Sequence, residues 1–255
     1  MAIRTFKRKE IKFLLTDEQY KALIPVLEQY MRPDEYCIDG KEYGIYNIYY
    51  DTDDNYLIRQ SLAKPYYKEK LRLRSYYSPA KPSDKVFLEI KKKVGGIVVK
   101  RRVTMTLEQA TKYIETGEKP ISNKYIQNQV FAELDAFLNK YKVTPKQYIS
   151  YKRQAYFGKD DNNFRVTFDR NITTRRNDLR LSSNSYGWQI INTTQHLMEV
   201  KISQGIPLWL ANTMAELGIF RTSFSKYGTG YMQYVYYQLH NAKEDTNERK
   251  VISIA

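Results

Sequence analysis

The chain has 255 residues, with 42 Lys and Arg against 28 Asp and Glu, a formal charge of +14. That excess calls for an acidic partner such as nucleic acid, a phosphorylated small molecule, polyphosphate or an anionic membrane surface. A single cysteine, Cys37, excludes an internal disulfide and a zinc-finger type of metal site, and no run is apolar for long enough to span a bilayer. A basic N-terminus without a following apolar stretch leads to the expectation of a soluble, cytoplasmic protein.

The predicted elements begin with a strand over Thr5–Leu15. Thr16 reads as a helix N-cap with Gln19 three residues on, and Tyr20, Leu23, Ile24 and Leu27 follow at helical spacing to Tyr30. Pro33 and Gly40 punctuate a turn region, Tyr43–Asp51 reads as a strand, and Asp53 starts a short helix carrying Tyr56, Leu57 and Leu62. Strands are expected near Tyr66–Tyr77, Lys85–Lys93 and Ile97–Met105, with Pro79 and Pro82 in one turn and Gly95-Gly96 in the next, which makes an antiparallel meander. Leu107–Glu115 and Lys124–Tyr141 read as helices inserted between two sets of strands. The second set is Gln147–Phe157, Phe164–Asn171 and His196–Ser203; residues 172–195, with Arg175, Arg176 and Arg180, read mostly as loop. A helix from about Pro207 to Leu217 follows, then Gly228 and Gly230 break the chain before a Tyr-rich helix over Tyr231–His240 and a frayed tail. One domain over 1–242 with a tail over 243–255 is the economical organisation.

Six segments place charges at alternate positions: Glu10-Ile11-Lys12, Lys70-Leu71-Arg72-Leu73-Arg74, Glu89-Ile90-Lys91-Lys92-Lys93, Lys100-Arg101-Arg102, Arg165-Val166-Thr167 and Glu199-Val200-Lys201. Alternate side chains of a strand share a face, so each segment shows charge on one side and mostly apolar residues on the other. A face so charged cannot be the apolar core. The expected solution is an α+β fold in which an antiparallel sheet curls into a β-barrel or tunnel around water, charged inside and flanked by helices. Twenty-four tyrosines supply large rings with polar tips for such walls. His196 and His240 have no Ser, Cys or Asp constellation beside them and read as structural, as does Cys37.

The ordered runs Arg8-Lys9-Glu10-Ile11-Lys12-Phe13, Ile48-Tyr49-Tyr50-Asp51-Thr52, Lys70-Leu71-Arg72-Leu73-Arg74, Phe87-Leu88-Glu89-Ile90-Lys91, Val99-Lys100-Arg101-Arg102, Ser150-Tyr151-Lys152-Arg153-Gln154-Ala155-Tyr156, Arg165-Val166-Thr167-Phe168-Asp169, Leu197-Met198-Glu199-Val200-Lys201 and Ser223-Phe224-Ser225-Lys226-Tyr227 resemble the strand motifs of the VTC domain. That is the polyphosphate polymerase domain of the vacuolar transporter chaperone family, in the triphosphate tunnel metalloenzyme superfamily. The resemblance runs over roughly residues 4 to 240. Any one motif is weak; the order of all of them is specific.

The resemblance implies that Lys12, Arg72, Arg74, Lys91, Lys100, Arg153, Arg165 and Lys226 hold phosphates, with Ser225 an extra donor. It implies that Glu199 binds Mn²⁺ or Mg²⁺, with Glu10 and Glu89 in second place, and that Arg72, Arg74, Lys226 and Glu199 carry catalysis. Arg grips phosphate by a bidentate fork and Lys acts as a point charge, so both suit the task. Against each cation stands a solvated surface role, and against Glu199 a salt bridge; Lys7, Lys9, Lys92 and Arg101 fall outside the matched pattern and keep the surface reading. The superfamily's first-strand Glu-x-Glu-x-Lys begins here with Arg8, which speaks against a simple hydrolase.

The implied function is an ATP-dependent phosphotransferase that passes the γ-phosphate to a growing polyphosphate chain, an acceptor already ionised and in no need of a strong base. No Walker glycine loop or kinase signature is present, so the nucleotide is expected to be held by its phosphates. The alternatives are a tunnel triphosphatase and a non-catalytic polyanion-binding module; nucleic acid is disfavoured because the charges alternate along strands instead of covering an open face. Eukaryotic members carry the domain beside an SPX sensor and membrane helices, neither of which is read here, so any translocation is expected to use a separate membrane partner.

Overall fold

Thr16 does cap a helix. Its hydroxyl accepts from Gln19 N–H while the Gln19 side chain accepts from Thr16 N–H, and Asp17 and Glu18 add negative charge to the first turn. This computed structural model describes residues 9–252, with side chains over 9–240. The expected strand positions 5–8, with Lys7 and Arg8, and residues 253–255 of the tail lie outside the described residues.

In chain order the elements are β1 (Lys9–Thr16), α1 (Asp17–Tyr30), β2 (Met31–Pro33), β3 (Tyr43–Asp51), α2 (Tyr56–Leu62), β4 (Tyr67–Ser75), β5 (Lys85–Val94) and β6 (Ile97–Thr106). Then come α3 (Leu107–Thr116), α4 (Tyr125–Lys140), β7 (Thr144–Gly158), β8 (Arg165–Arg175), β9 (Trp188–Gln189), β10 (Gln195–Ile202), α5 (Leu208–Glu216), β11 (Arg221–Thr222) and α6 (Lys226–Ile252). Gly95 and Gly96, at φ +53° and +88°, make the two-residue turn that joins β5 to β6. Thr106 caps α3 with a second capping box, through Gln109.

All strands pair antiparallel in one sheet ordered β11-β1-β10-β8-β7-β3-β4-β5-β6, with β2 on β7 and β9 on β8. The expected closure into a barrel does not occur: among the described residues β6 and β11 end the hydrogen-bonded path without pairing to each other. Curvature does the work of closure. Lys91 of β5 reaches within 3.8 Å of Glu10 of β1, although five strands separate them in the sheet, so the sheet folds round into a tunnel-like trough.

Two apolar layers back the convex side. Leu71, Leu73, Val86, Leu88, Ile90 and Val103 pack on α3 and α4 through Tyr113, Phe131, Leu134 and Phe137. Phe13, Val166, Phe168, Met198 and Val200 pack on α1 and α5 through Leu23, Leu27, Leu210 and Met214. Full burial of such side chains is worth about 1.5–3 kcal/mol each, which fixes register against a one-residue slip that would turn the charges into this core. A third cluster, with Ile45, Ile149, Leu197 and Ile58 of α2 around Tyr227 of α6, covers part of the concave side.

Several boundaries differ from the sequence reading. Residues 31–33 form a short strand on β7, and α2 starts at Tyr56 behind Asn55, not at Asp53. The stretch read as loop from 172 loses its first four residues to β8 and yields β9. Most consequentially, Gly228 and Gly230 lie inside α6, which begins at Lys226 and runs to Ile252. A Cβ on Gly230 would fall 2.2 Å from Gln147 Nε2, so that glycine permits a close helix-to-sheet approach where the sequence suggested a break.

Candidate functional site

The strand registers bring the alternating charges onto one surface. Lys12 faces Glu199, Glu10 faces Lys201, Lys201 faces Arg165, and Arg153 faces Asp169. On the other wall Asn47 faces Arg74, Tyr49 and Glu89 flank Arg72, Lys91 lies between Lys70 and Lys100, and Arg102 faces Glu89. The concave side therefore carries many more cations than carboxylates. The opposite parity behaves as a plain outer face: Lys92 and Arg101 pair with Glu133 of α4 at 2.9 and 3.3 Å.

One cluster centres on Asp169, which is fully buried. Arg153 grips it with two hydrogen bonds, Nε to Oδ1 at 2.6 Å and the terminal nitrogen to Oδ2 at 2.7 Å, and Lys226 Nζ lies 2.6 Å from that same Oδ2. Lys226 also donates to Glu199 Oε1 at 3.2 Å and sits 4.6 Å from the centre of the Tyr151 ring. Glu199, in turn, lies 3.5 Å from Lys12, while Lys12 donates to the Phe224 carbonyl at 3.0 Å and stands 3.5 Å from Glu10. Burial alone would raise the Glu199 carboxyl, but Lys226, Lys12 and Arg153 hold it well below the usual carboxylate range. Asp169 is lowered against burial by Arg153 and Lys226, and Lys226 is raised against burial by Asp169 and Glu199.

The second cluster centres on Glu89, 1 % exposed. Arg72 Nε donates to it at 2.5 Å, Lys100 lies 3.5 Å away, and Arg72 also donates to the Tyr49 hydroxyl at 3.3 Å. Burial would raise the Glu89 carboxyl, yet Arg72, Arg74 and Lys100 bring it down to about 2. Arg74 lies between the two clusters: its Nε donates to Asn47 Oδ1 at 2.8 Å and its terminal nitrogen to the Tyr151 hydroxyl at 3.1 Å. Each of these cations has a partner within the protein, and Lys12, Lys91 and Lys100 keep part of their surface open to the trough.

Of the residues expected from sequence, Lys12, Arg153, Lys226 and Glu199 meet in the first cluster, with Glu10 at its rim, and Arg72, Glu89 and Lys100 meet in the second. Lys91 links them through Glu10. Arg165 stands at the edge, 3.3 Å from Asp34 and over the Phe157 ring, with its Nε buried and unpartnered. Ser225 uses its oxygen to accept Gly228 N–H at 3.1 Å, at the start of α6. Asp169, Asn47, Tyr49, Tyr151, Lys70, Lys201 and Arg102 are on the same surface although the sequence reading assigned them no role. Parity would have found most of them: Lys70 alternates with Arg72 and Arg74, Lys201 with Glu199, and Asp169 with Arg165 and Thr167.

Among the described residues no three of His, Cys, Asp and Glu gather into a ready metal cluster. Glu10 and Glu199 come nearest, both beside Lys12 and close enough for Glu199 to oppose ionisation of Glu10. Two carboxylates suit Mg²⁺ or Mn²⁺ bound jointly by protein, water and phosphate oxygens.

The sequence matches the family model described as VTC domain over residues 7–235. No curated protein matches it in sequence. Among solved structures, a Bacillus halodurans protein put forward as an adenylate cyclase is similar at 15% identity and a TM-score of 0.51, over 86% of this chain and 95% of that one. A Hippeastrum protein, put forward as an adenylyl cyclase and described as having a dominant triphosphatase activity, is similar at 16% identity and a TM-score of 0.50, over 86% and 92%. Both likenesses are of fold. No helix among the described residues is long and apolar enough to cross a membrane.

Proposed function

Because the chain belongs to the VTC domain family, with the triphosphate tunnel fold, we propose that it is a metal-dependent polyphosphate polymerase that uses ATP. The observation that carries the reading is the concave surface itself, where cations from β1, β4, β5, β6, β7, β8, β10 and α6 converge on one trough. An extended phosphate chain matches that shape and charge. Arg72, Arg74 and Arg153 orient the triphosphate with the guanidinium hydrogens not given to Glu89, Asn47 and Asp169, and Lys12, Lys91, Lys100 and Lys226 neutralise its oxygens. Glu199, with Glu10 beside it and Glu89 on the opposite wall as second candidates, would hold Mn²⁺ or Mg²⁺, which would supply positive charge to offset the negative charge developing on the phosphates.

In the transfer, a terminal oxygen of the chain forms a bond to the γ-phosphorus while the bond from that phosphorus to the β–γ bridging oxygen breaks, and ADP leaves with the electron pair. The acceptor is already ionised, so no proton has to move and positioning with electrostatics suffices. Glu10, Glu89, Asp169 and Glu199 are each paired with Lys or Arg, which disfavours them as bases for activating water and supports transfer over hydrolysis. A triphosphatase activity, as described for the Hippeastrum fold relative, is the second reading.

The test is incubation with ATP and Mn²⁺ followed by electrophoretic separation of polymer from orthophosphate. Polymer is expected from the wild type and is lost in Arg74→Ala and Glu199→Ala while both remain folded. Orthophosphate without polymer would replace the polymerase by the hydrolase. A separate membrane partner would serve translocation of the polymer, and co-purification tests for one.

A further inference from the structure

Opposite registers on three strands set up a row of like charges. Lys70 of β4 faces Lys91 of β5, and Lys91 faces Lys100 of β6; in the next row out Lys68 faces Lys93. Directly opposed like charges destabilise a sheet, so such a ladder needs a compensating anion. Lys100 has Glu89 at 3.5 Å, Lys91 has Glu10 at 3.8 Å, and Lys68 donates to the Ser61 carbonyl at 2.9 Å. Lys70 has nothing comparable. Among the described residues it makes no ion pair and no hydrogen bond, and its only contact of this kind is with the Tyr227 ring, 5.6 Å from Nζ to the ring centre. It is half-buried on the concave side, next in alternation to Arg72.

We propose that Lys70, supported by Lys68 and Lys93, binds a phosphate of the polyphosphate chain beyond the triphosphate held at the arginines. This rests on the reading of the trough as a polyphosphate site and gives that site a direction: arginines and carboxylates, with Lys12, Lys91, Lys100 and Lys226, where the reacting groups are fixed, and the lysines around Lys70 where the chain continues. The division suits the chemistry of the two side chains, since a guanidinium fork fixes orientation and an ammonium point charge on a flexible stem lets successive phosphates pass.

The surroundings of Lys70 support a proton-linked contact. It is faced by Lys68 and Arg72 on its own strand, Lys91 and Lys93 on β5, Lys12 on β1, Tyr49 and Asp51 on β3 and Tyr227 on α6, while Arg59 of α2 is turned to Asp54 at the surface. Burial, then Lys68, Lys91 and Lys12, lower it to about 7, with Asp51 only a minor opposing influence. The free amine is therefore about half protonated near neutrality, and an arriving phosphate draws in the missing proton. The sign is fixed: chain affinity weakens as pH rises above about 7, up to about tenfold per unit.

The test is calorimetric binding of long-chain polyphosphate and of inorganic triphosphate to the full chain, at pH about 6 and about 8.5, for wild type, Lys70→Ala and Lys70→Arg. Lys70→Ala is expected to weaken polyphosphate about tenfold at the lower pH while changing triphosphate by less than about threefold. Lys70→Arg should bind polyphosphate as the wild type does at the lower pH and lose its steep decline at the higher one. The thermal midpoint of Lys70→Ala should equal or exceed that of the wild type, because an uncompensated cation is gone. Equal loss for both ligands, no loss for either, or the same pH slope in Lys70→Arg overturns the proposal. The readout separates the two claims: polymer made equally by wild type and Lys70→Ala with unchanged chain binding sinks only the Lys70 role, whereas Lys70-dependent chain binding without polymer sinks only the polymerase.

Discussion

Asp169→Asn probes the site's internal electrostatics with little change of shape. The carboxylate is fully buried and is held by Arg153 at 2.6 and 2.7 Å and Lys226 at 2.6 Å, so the substitution strands two buried cations and turns amide hydrogens toward their donors. Removing one partner of a buried ion pair costs about 3–5 kcal/mol, because the other charge stays buried and uncompensated. Glu199, 3.2 Å from Lys226 and 3.9 Å from Arg153, absorbs part of that, which puts the expectation near the lower figure. For a chain of this size each kcal/mol lowers the melting midpoint by about 2–4 °C, so the variant should melt roughly 6–12 °C below wild type by differential scanning calorimetry. Tripolyphosphate should then stabilise the variant more than the wild type, since the ligand supplies the missing negative charge. The pH dependence has a definite sign. Asp169 is lowered in the folded state, so its contribution is present above the unfolded carboxylate value of about 3.9 and is lost as pH falls through the lower folded value. The variant should therefore show a shallower loss of stability in acid. A midpoint within about 2 °C of wild type, with an unchanged acid limb, would refute the reasoning.

Three further outcomes follow from other parts of the structure. Glu199→Gln should abolish metal-stimulated turnover, while metal-free binding of tripolyphosphate measured by calorimetry stays equal or tightens, because Lys12, Lys226 and Arg153 lose an internal competitor. Gly230→Ala should destabilise, although helix propensity alone favours Ala by about 1 kcal/mol, because its Cβ would meet the buried Gln147 amide that donates to Thr174; chemical denaturation gives the sign. Arg175→Ala should cost about 3 kcal/mol or more and expose residues 176–187 to limited proteolysis, since the buried guanidinium donates to the carbonyls of Asp178, Asn184, Tyr186 and Arg180 between the Tyr148 and Tyr186 rings.

The elements legible in the sequence were those whose signal is local. Thr16 with Gln19 fixed the start of α1, the glycine pair fixed the β5–β6 turn, and strict alternation in 70–74 fixed which side chains of β4 turn inward. What escaped depends on distant chain. Gly228 and Gly230 read as breakers because their value is a close approach to distant side chains, Leu62 for the one and Gln147 for the other, that no local pattern announces. Arg175 differs in that its partners lie near in the chain, 3 to 11 positions on, but they are backbone carbonyls, which no side-chain pattern announces. Asp169 received no role because its partners, Arg153 of β7 and Lys226 of α6, meet it only through the folded register of the sheet. Closure was over-read for a related reason: alternation reveals which face is charged, but whether the first and last strands pair depends on curvature accumulated over the whole sheet.

The central claim is tested most directly by following ATP, Mn²⁺ and the purified chain by ³¹P nuclear magnetic resonance. Polyphosphate synthesis predicts that resonances of bridging phosphate grow in step with ADP while orthophosphate stays near its starting level, and that Arg74→Ala shows neither change. Orthophosphate accumulating in step with ADP, with no bridging resonance beyond those of the nucleotides, would contradict the account.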